Sequence, residues 1–448
     1  MQHELLKHLE RRLPRYTSYP TAMQFGPLVD GSTYESWLAA LPAGAPVSLY
    51  LHVPFCASLC WYCGCHTTVT RGYGPVAAYV DLLEREIALV GAIVGKRRVT
   101  HLHWGGGTPT ILAPPDFRRI MVLLRSTFTF SADAELAVEI DPRTLTGGYA
   151  SILADSGLTR ASLGVQDFDE RVQRAVGRIQ SVSQTERVAG WLREAGIGGI
   201  NLDLMYGLPH QTVASVAATV ESALRLDPDR IALFGYAHVP WMKRHQQRID
   251  QQLLPGTEER FAQSRIAAEI LAGAGYQLIG LDHFAKADDL MARRQRDGKL
   301  HRNFQGYTTD ESRNLIGFGT SAIGSLPDGY IQNASRTVAY RQKIAAGILA
   351  TARGCVLSAE DRLRRDIIEG LMCNLRVDLT ELCAAHGTKV ERFATELGAL
   401  DALANYGIVG RTGGKISIPQ YARPFLRTAC SVFDQYLTSG ESRFSLAS

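Results

Sequence analysis

Residues 47–66 read VSLYLHVPFCASLCWYCGCH. The run 47–53, rich in β-branched and aromatic side chains, predicts a buried strand. Four of the eight cysteines follow it within eleven positions: Cys56, Cys60, Cys63 and Cys65. The first three have the spacing C-x₃-C-x₂-C. Three thiolates on one short loop leave the four-coordinate shell of a structural zinc incomplete, because such sites usually draw on two paired ligand sets. They suit three irons of a four-iron cluster, since soft thiolates select iron–sulfur units, and the fourth iron then stays open to another ligand. A disulfide framework belongs to small secreted domains. This chain is long, and its other cysteines, Cys355, Cys373, Cys383 and Cys430, are scattered singly.

With 448 residues, 46% hydrophobic and 21% charged, the chain is expected to bury a large core in two or three domains. A formal charge of +4 does not by itself point to nucleic acid. The longest apolar run, IALVGAIVG at 87–95, is short of the ~20 residues that span a bilayer. The start, MQHELLKHLERRLPRY, has no apolar signal core. These features predict a cytoplasmic protein without membrane or nucleic-acid partners.

From residue 47 onward strands and helices alternate. Pro75 suits a first helical turn, and Val76, Val80, Leu83, Ile87, Val90 and Val94 recur at helical spacing. Strands are expected at 99–104, 135–140, 160–165, 199–204 and 229–236, with helices between them at 114–127, 145–155, 169–176, 182–195 and 213–226. Six strands in this rhythm predict an α/β fold with a parallel sheet of right-handed βαβ units. Functional residues of such sheets collect at the carboxyl ends of the strands. Cys56, the glycines of WGGGTPT (104–110), Glu139, Asp141, Gln166, Asp203 and the 236–238 segment all fall there. Tyr50 and His52 lie on one face of the first strand, either as contacts of a ligand or as packed core. Residues 1–46, with PRYTSYPT at 14–21, predict an irregular arm or lid. GLDHFAK (280–286) and HRNFQGYTT (301–309) read as loops lining a site. Residues 346–448 read as a mostly helical, winged-helix-like domain with a capping box at Ser358 and Asp361 and a hairpin at 407–418. Its 11 basic against 11 acidic residues from 355 to 448 argue against a duplex reader.

The cysteine spacing, with Tyr62 as the aromatic before Cys63, resembles the signature of radical S-adenosylmethionine (SAM) enzymes. That resemblance implies a partial (β/α)₆ barrel over 47–345, and WGGGTPT matches the segment that approaches SAM, where bare backbone allows close contact. PRYTSYPT, LYLHVPFC, LHWGGGTPT, SLGVQDF, NLDLMYGLP, YAHVP, GLDHFA and HRNFQGYTT, in this order, resemble the oxygen-independent coproporphyrinogen III dehydrogenase (oxidase) family of haem biosynthesis. The resemblance runs from about Arg15 to the end and is weakest after residue 340. It implies decarboxylation of two propionates of coproporphyrinogen III to vinyls. It also implies a [4Fe–4S] cluster on Cys56, Cys60 and Cys63, and a first SAM held by Tyr50, Gly106, Glu139 and Ile323. A second SAM would meet Tyr62, Gly107, Thr108, Gln166, Arg178, Asp203 and Ala237. Tyr50 and His52 are the candidate catalytic residues. The expected partners are the tetrapyrrole and a reduced flavodoxin- or ferredoxin-like donor, with the chain a monomer. The four propionates of such a substrate call for cations, with Arg15 and Arg302 the first candidates. The competing class, a haem chaperone of the same superfamily, typically carries an aromatic at the position of Cys65 and lacks the PRYTSYPT arm.

Overall fold

The computed structural model describes residues 7–437. Its backbone is one twelve-stranded sheet. In chain order the strands are β1 (Val47–Val53), β2 (Arg98–Gly106), β3 (Thr129–Ile140), β4 (Arg160–Gln166), β5 (Gly199–Tyr206) and β6 (Arg230–Gly235), then β7 (Tyr276–Ile279), β8 (His283–Lys286), β9 (Leu315–Phe318), β10 (Ile323–Leu326), β11 (Gly329–Asn333) and β12 (Thr351–Val356). They lie side by side as β12-β11-β10-β9-β1-β2-β3-β4-β5-β6-β8-β7. β1 to β6 pair in parallel, each with the next. β9 adds a seventh parallel strand beside β1, and both flanks continue antiparallel. The two ends of the sheet do not meet.

Every residue of β1 is buried, as a strand with neighbours on both edges and cover on both faces requires. In β4 and β5 burial alternates, and the period of two sorts side chains by chemistry. Ala161, Leu163, Val165, Ile200, Leu202 and Leu204 pack into the main core. Ser162, Gly164, Asn201 and Asp203 therefore turn to the concave face. The helices lie between the strands where apolar spacing puts them. Pro75 falls at the start of the helix Gly74–Val94, which ends at Gly95 with φ 68°, a left-handed stop that glycine adopts without strain. At the amino ends of the strands Arg230 meets Asp289 at 2.9 Å and Glu135 at 3.4 Å, while Arg160 meets Glu135 at 3.3 Å and Asp289 at 3.5 Å. This paired network closes that end of the barrel.

Several expectations need correction. GLDHFAK and HRNFQGYTT are not simply loops: β8 extends the sheet edge, and His301–Asn303 pairs with Gly306–Thr308 as a hairpin. Tyr307 anchors that hairpin by donating to the carbonyl of Met372, a long-range contact that local pattern cannot reveal. The expected boundary at 345/346 falls ahead of β12, which belongs to the sheet. The helical unit starts at Ser358, whose capping box with Asp361 is formed. Its hairpin strands Gly410–Thr412 and Lys415–Ser417 gain a third partner, Arg376–Asp378. The arm or lid expected over residues 1–46 is packed into the fold over its described part and carries a helix at Gly31–Ala39, its first six residues lying outside the described ones. Leu9, Tyr16 and Tyr19 are buried in the core of the C-terminal unit. Tyr16 donates to Asp434 at 3.0 Å, and Arg427 donates to the carbonyl of Pro14 at 3.0 Å.

Candidate active site

A cavity of about 480 Å³ opens at the carboxyl ends of the parallel strands. Cys56, Cys60, Cys63 and Cys65 form one wall. The loop that carries them is held from outside its own motif. Trp61 donates its amide to the carbonyl of Val176 at 2.8 Å, and Gln246 donates to the carbonyl of Tyr62 at 2.9 Å. His245 bonds the carbonyl of Cys63 at 2.7 Å and Lys243 that of Cys65 at 3.0 Å.

Each signature sulfur has polar company. Thr67 and Thr108 donate to Cys56 Sγ at 3.1 and 3.5 Å. Arg143 and Arg178 approach Cys60 Sγ at 3.6 and 3.5 Å, both steadied by Asp141. The thiol of Cys65, and after it burial and the Cys65 amide, act on Cys63; the hydrogen bonds prevail and bring it down to about 7. The same bond pushes Cys65 up. Cys63 is thus the readier thiolate of the pair, and the thiolate is the form that ligates metal. Burial raises Cys56, with the two threonine hydroxyls opposing it.

The glycine triplet faces the cysteines. Gly106 has φ 110°, and a Cβ there would lie 2.7 Å from the His52 ring; at Gly107 it would lie 2.4 Å from the carbonyl oxygen of Phe55. Both positions therefore demand glycine. The amides of Gly107 and Thr108 are spent on the carbonyls of Val53 and Phe55, which locks the turn against β1. Glu139 accepts from His103 at 3.0 Å and from the Gly106 amide at 3.1 Å. Burial works against ionisation, yet these bonds outweigh it and hold the Glu139 carboxyl below its ordinary range. Asp203 goes the other way: burial, with the nearby Glu139 charge, pushes it up to about 6, despite bonds from Ser162 and Asn201 at 2.9 Å each. Gln166 lines the same space from a left-handed backbone, φ 74°.

Of the residues expected at a site, Cys56, Cys60, Cys63, Tyr62, Gly106, Gly107, Thr108, Glu139, Gln166, Arg178, Asp203 and Ala237 line this one cavity. Tyr50, His52 and Ile323 do not line it. The Tyr50 hydroxyl is bonded to His52 Nδ1 at 2.9 Å, and His52 Nε2 to the carbonyl of His66 at 2.9 Å. Those partners make His52 the Nε2–H tautomer, and burial keeps it neutral with a pKa lowered to about 4. Ile323 packs on β10 against a cluster with Phe25 and Tyr330. Sequence reading missed Arg143, His103, Lys243, His245 and Gln246. Only Arg143, in DPRT directly after β3, carried a positional hint.

Three comparisons bear on this geometry. The radical SAM superfamily model matches residues 50–223. An oxygen-independent coproporphyrinogen III oxidase of Bradyrhizobium diazoefficiens is 52% identical, with 98% of each chain covered. The chain belongs to the oxygen-independent coproporphyrinogen III oxidase family. A second member, from Salmonella typhimurium, is 41% identical over 95% of this chain and 93% of that one. The solved structure of the family's Escherichia coli coproporphyrinogen III oxidase, described as a radical SAM enzyme, superposes with a TM-score of 0.91. It is 39% identical, with 95% and 100% of the two chains covered.

The fit of the family's cofactors is testable on the residues themselves. Among the described residues no three His, Cys, Asp or Glu side chains gather tightly enough for a single metal ion. The signature thiols instead share one wall with hydroxyl and guanidinium donors, as a larger thiolate-bound group needs. Arg178, itself buried, has its Nε without a hydrogen-bond partner among the described residues while lining the cavity. An anionic group of a ligand would complete it. The residues fit.

Proposed function

We propose that this oxidase converts two propionates of coproporphyrinogen III to vinyl groups without oxygen, giving protoporphyrinogen IX in haem biosynthesis. The observation that carries the reading is convergence. The three signature cysteines, the glycine turn and the Glu139 and Asp203 carboxyls, spread over 148 positions of sequence, face one cavity in a chain 52% identical to such an oxidase.

Cys56, Cys60 and Cys63 would hold a [4Fe–4S] cluster. Gly106 and Glu139 would position one SAM, Tyr50 and Ile323 acting on it only from outside the cavity, and Tyr62, Gly107, Thr108, Gln166, Arg178, Asp203 and Ala237 a second. The cluster and SAM would supply one-electron cleavage of a sulfonium carbon–sulfur bond and, through it, hydrogen-atom abstraction from the propionate. The protein's part is to place and shield. Arg143 and Arg178 set positive charge beside Cys60. Ionised Glu139 suits a cationic amino group, and Asp203, near its pKa at mildly acidic pH, suits hydroxyls. Tyr50 and His52 act on this reading as positioning residues: their bonded pair packs under Gly106 and fixes the turn. Arg15 lines the cavity at its rim and donates to the carbonyl of Gly235 at 2.9 Å, so it can reach a propionate as well as brace the mouth.

A reduced flavodoxin- or ferredoxin-like protein would deliver the electron, with the chain acting as a monomer in the cytoplasm. No helix among the described residues is long and apolar enough to cross a membrane. The functional units would be the arm, the barrel, and a C-terminal helical unit that roofs the substrate side. Anaerobic incubation of the reconstituted protein with SAM, a reductant and coproporphyrinogen III should release two carbon dioxide molecules per tetrapyrrole. No carbon dioxide, with a stoichiometric stable haem complex instead, would give the protein to the chaperone class.

A further inference from the structure

A second cavity, about 500 Å³, lies between the carboxyl ends of β5 and β6, the helix Thr257–Gly273 and residues 420–427 of the C-terminal unit. Six arginines line it: Arg15, Arg260, Arg265, Arg302, Arg423 and Arg427. Only two carboxylates, Glu269 and Asp282, stand against them, an excess of four positive charges. Phe261, Leu281 and Phe284 supply apolar surface between the cations.

Several of the guanidinium groups donate to backbone carbonyls, while Arg265 pairs with Glu269 at 3.6 Å on the exposed helix face. Arg260 donates to the carbonyl of Tyr236 at 3.0 Å and Arg423 to those of Leu278 and Gly280 at 2.6 and 3.1 Å. Arg427 holds the arm through Pro14. Arg260, Arg423 and Arg427 are all buried. Burial pushes Arg423 down to about 10 and, with the charge of Arg15 next in weight, Arg427 down to about 9; both stay cationic at neutral pH. Arg302 lies over the face of Tyr307, its guanidinium carbon 4.2 Å from the ring centre. Its Nε and Nη1 are buried with no hydrogen-bond partner among the described residues, as is Arg423 Nε. Arg302 and Arg423, held in place and desolvated with donors to spare, make the chamber ready for anions, because such charges are costly until they are paired. The spread of charge over an apolar floor suits a large flat-to-puckered ring with carboxylates at its edge. Arg15 lines both this cavity and the cysteine cavity, so one ligand can place an edge in each.

We propose that this arginine chamber is a polycarboxylate site that counts carboxylates, holding the four-carboxylate substrate and the three-carboxylate intermediate and releasing the two-carboxylate product. The proposal rests on the reaction proposed above. Each decarboxylation turns a propionate into a neutral vinyl group and so removes one anion from a site with a fixed excess of cations. Affinity then falls stepwise as the reaction proceeds, which retains the intermediate for its second turn.

The test is equilibrium binding of three oxidised probes to the full chain: coproporphyrin III, its monovinyl tricarboxylate derivative and protoporphyrin IX, at low and high salt. Affinity should fall at least tenfold from four carboxylates to two, with the steepest salt dependence for four. Arg302→Gln should flatten the ladder by weakening the tetracarboxylate most, while Arg302→Lys, which keeps the charge, should retain much of it. Equal affinities for the three probes in the native chain would overturn the proposal, as would equal weakening of all three by Arg302→Gln with the thermal midpoint unchanged. If Arg302→Gln does not fold, Arg265→Gln at the exposed rim gives the same comparison with a smaller slope change. An intact ladder without decarboxylation would overturn the reaction and leave the site standing. Turnover with a flat ladder would do the reverse.

Discussion

The two cavities of this oxidase meet at Arg15 but are encoded in opposite ways. The cysteine cavity is built from short contiguous stretches, 56–67 and 106–108, followed by single residues at strand ends. The arginine chamber draws its cations from positions 15, 260, 265, 302, 423 and 427, and no two of them are adjacent. The difference is physical. A cluster with open coordination needs several ligands at near-fixed separations, and a short loop supplies them most directly. A large flexible anion asks only for charge and apolar surface over a wide area, which distant segments provide equally well. Chemistry is written locally here, and recognition is written in the assembly.

The largest effect that could break this contrast concerns the cysteines. Replacing Cys56, Cys60 or Cys63 with Ala should remove the about four irons per chain expected on reconstitution and all SAM cleavage. Cys65→Ala should keep the iron, since its thiol serves Cys63 as a hydrogen-bond donor. Iron analysis decides the matter: equal loss in Cys65→Ala and Cys60→Ala would mean that the loop's ligand set is misassigned.

Next in size is the opposite cavity. Arg302→Ala should raise KM for coproporphyrinogen III by roughly ten- to a hundredfold, the range for one lost charge-assisted hydrogen bond, with a small change in kcat. Tyr50→Phe should show the reverse balance, because it loosens His52 beneath the Gly106 turn and lies outside both cavities. Steady-state kinetics under anaerobic conditions separates the two. A fall in kcat alone for Arg302→Ala would merge the cavities into one catalytic unit.

The parallel strands and helices were legible because each buries one face and repeats accordingly. The helix expected at 114–127 is found at Pro114–Thr127. The flanking strands β7 to β12 were not, since they are short and take their identity from edge pairing. The arm misled for a related reason. Tyr16 and Tyr19 look like surface aromatics in a proline-punctuated stretch, but their cover comes from residues more than 340 positions away. Deleting residues 1–22 would therefore strip the C-terminal core as well as the rim, and Arg15→Ala is the cleaner probe. Among site residues the thiols, glycines and strand-end carboxyls were readable from spacing. Arg15, Arg178 and Arg302 came forward only through the family resemblance, and Arg143, Arg260, Arg265, Arg423 and Arg427 not at all, because a lone arginine in sequence looks like any solvated cation.

His52 offers a smaller and quantitative test of how firmly the cysteine side is preorganised. Its folded pKa of about 4 lies below the ordinary 6.5, so the folded chain binds fewer protons there than the unfolded chain. The stability this gives is complete above pH 6.5 and is lost as the pH falls from 6.5 towards 4. One pH unit corresponds to ~1.4 kcal/mol, so the whole limb is at most ~3.5 kcal/mol. Urea midpoints at pH 7, 6 and 5 should show a shallower acid decline in His52→Gln, which can still donate to His66 and accept from Tyr50. An unchanged slope would place the acid sensitivity elsewhere.

The smallest effect tests whether the cysteine cavity keeps a strained residue for its ligand. Gln166 ends β4 with φ 74°, beside a register shift between Gly164 and Gln166. A left-handed conformation costs a residue with a Cβ ~1–2 kcal/mol, whereas glycine avoids that cost and loses ~0.5–1 kcal/mol of backbone entropy instead. The backbone alone would therefore favour glycine by up to ~1.5 kcal/mol, or at worst be indifferent. The Gln166 side chain returns nothing visible to the fold: it makes no hydrogen bond among the described residues, and it faces the cavity. Strain retained without a structural return is the mark of a residue kept for a ligand. Gln166→Gly should then fold with equal or slightly higher stability while SAM retention, measured by equilibrium dialysis, drops. Gln166→Ala should keep the strain and lose the contact, so its SAM retention should match that of Gln166→Gly at lower stability. If Gln166→Gly instead costs more than ~1 kcal/mol and binds SAM as before, the bulge serves packing, and the cysteine cavity is less specialised at this edge than its other walls.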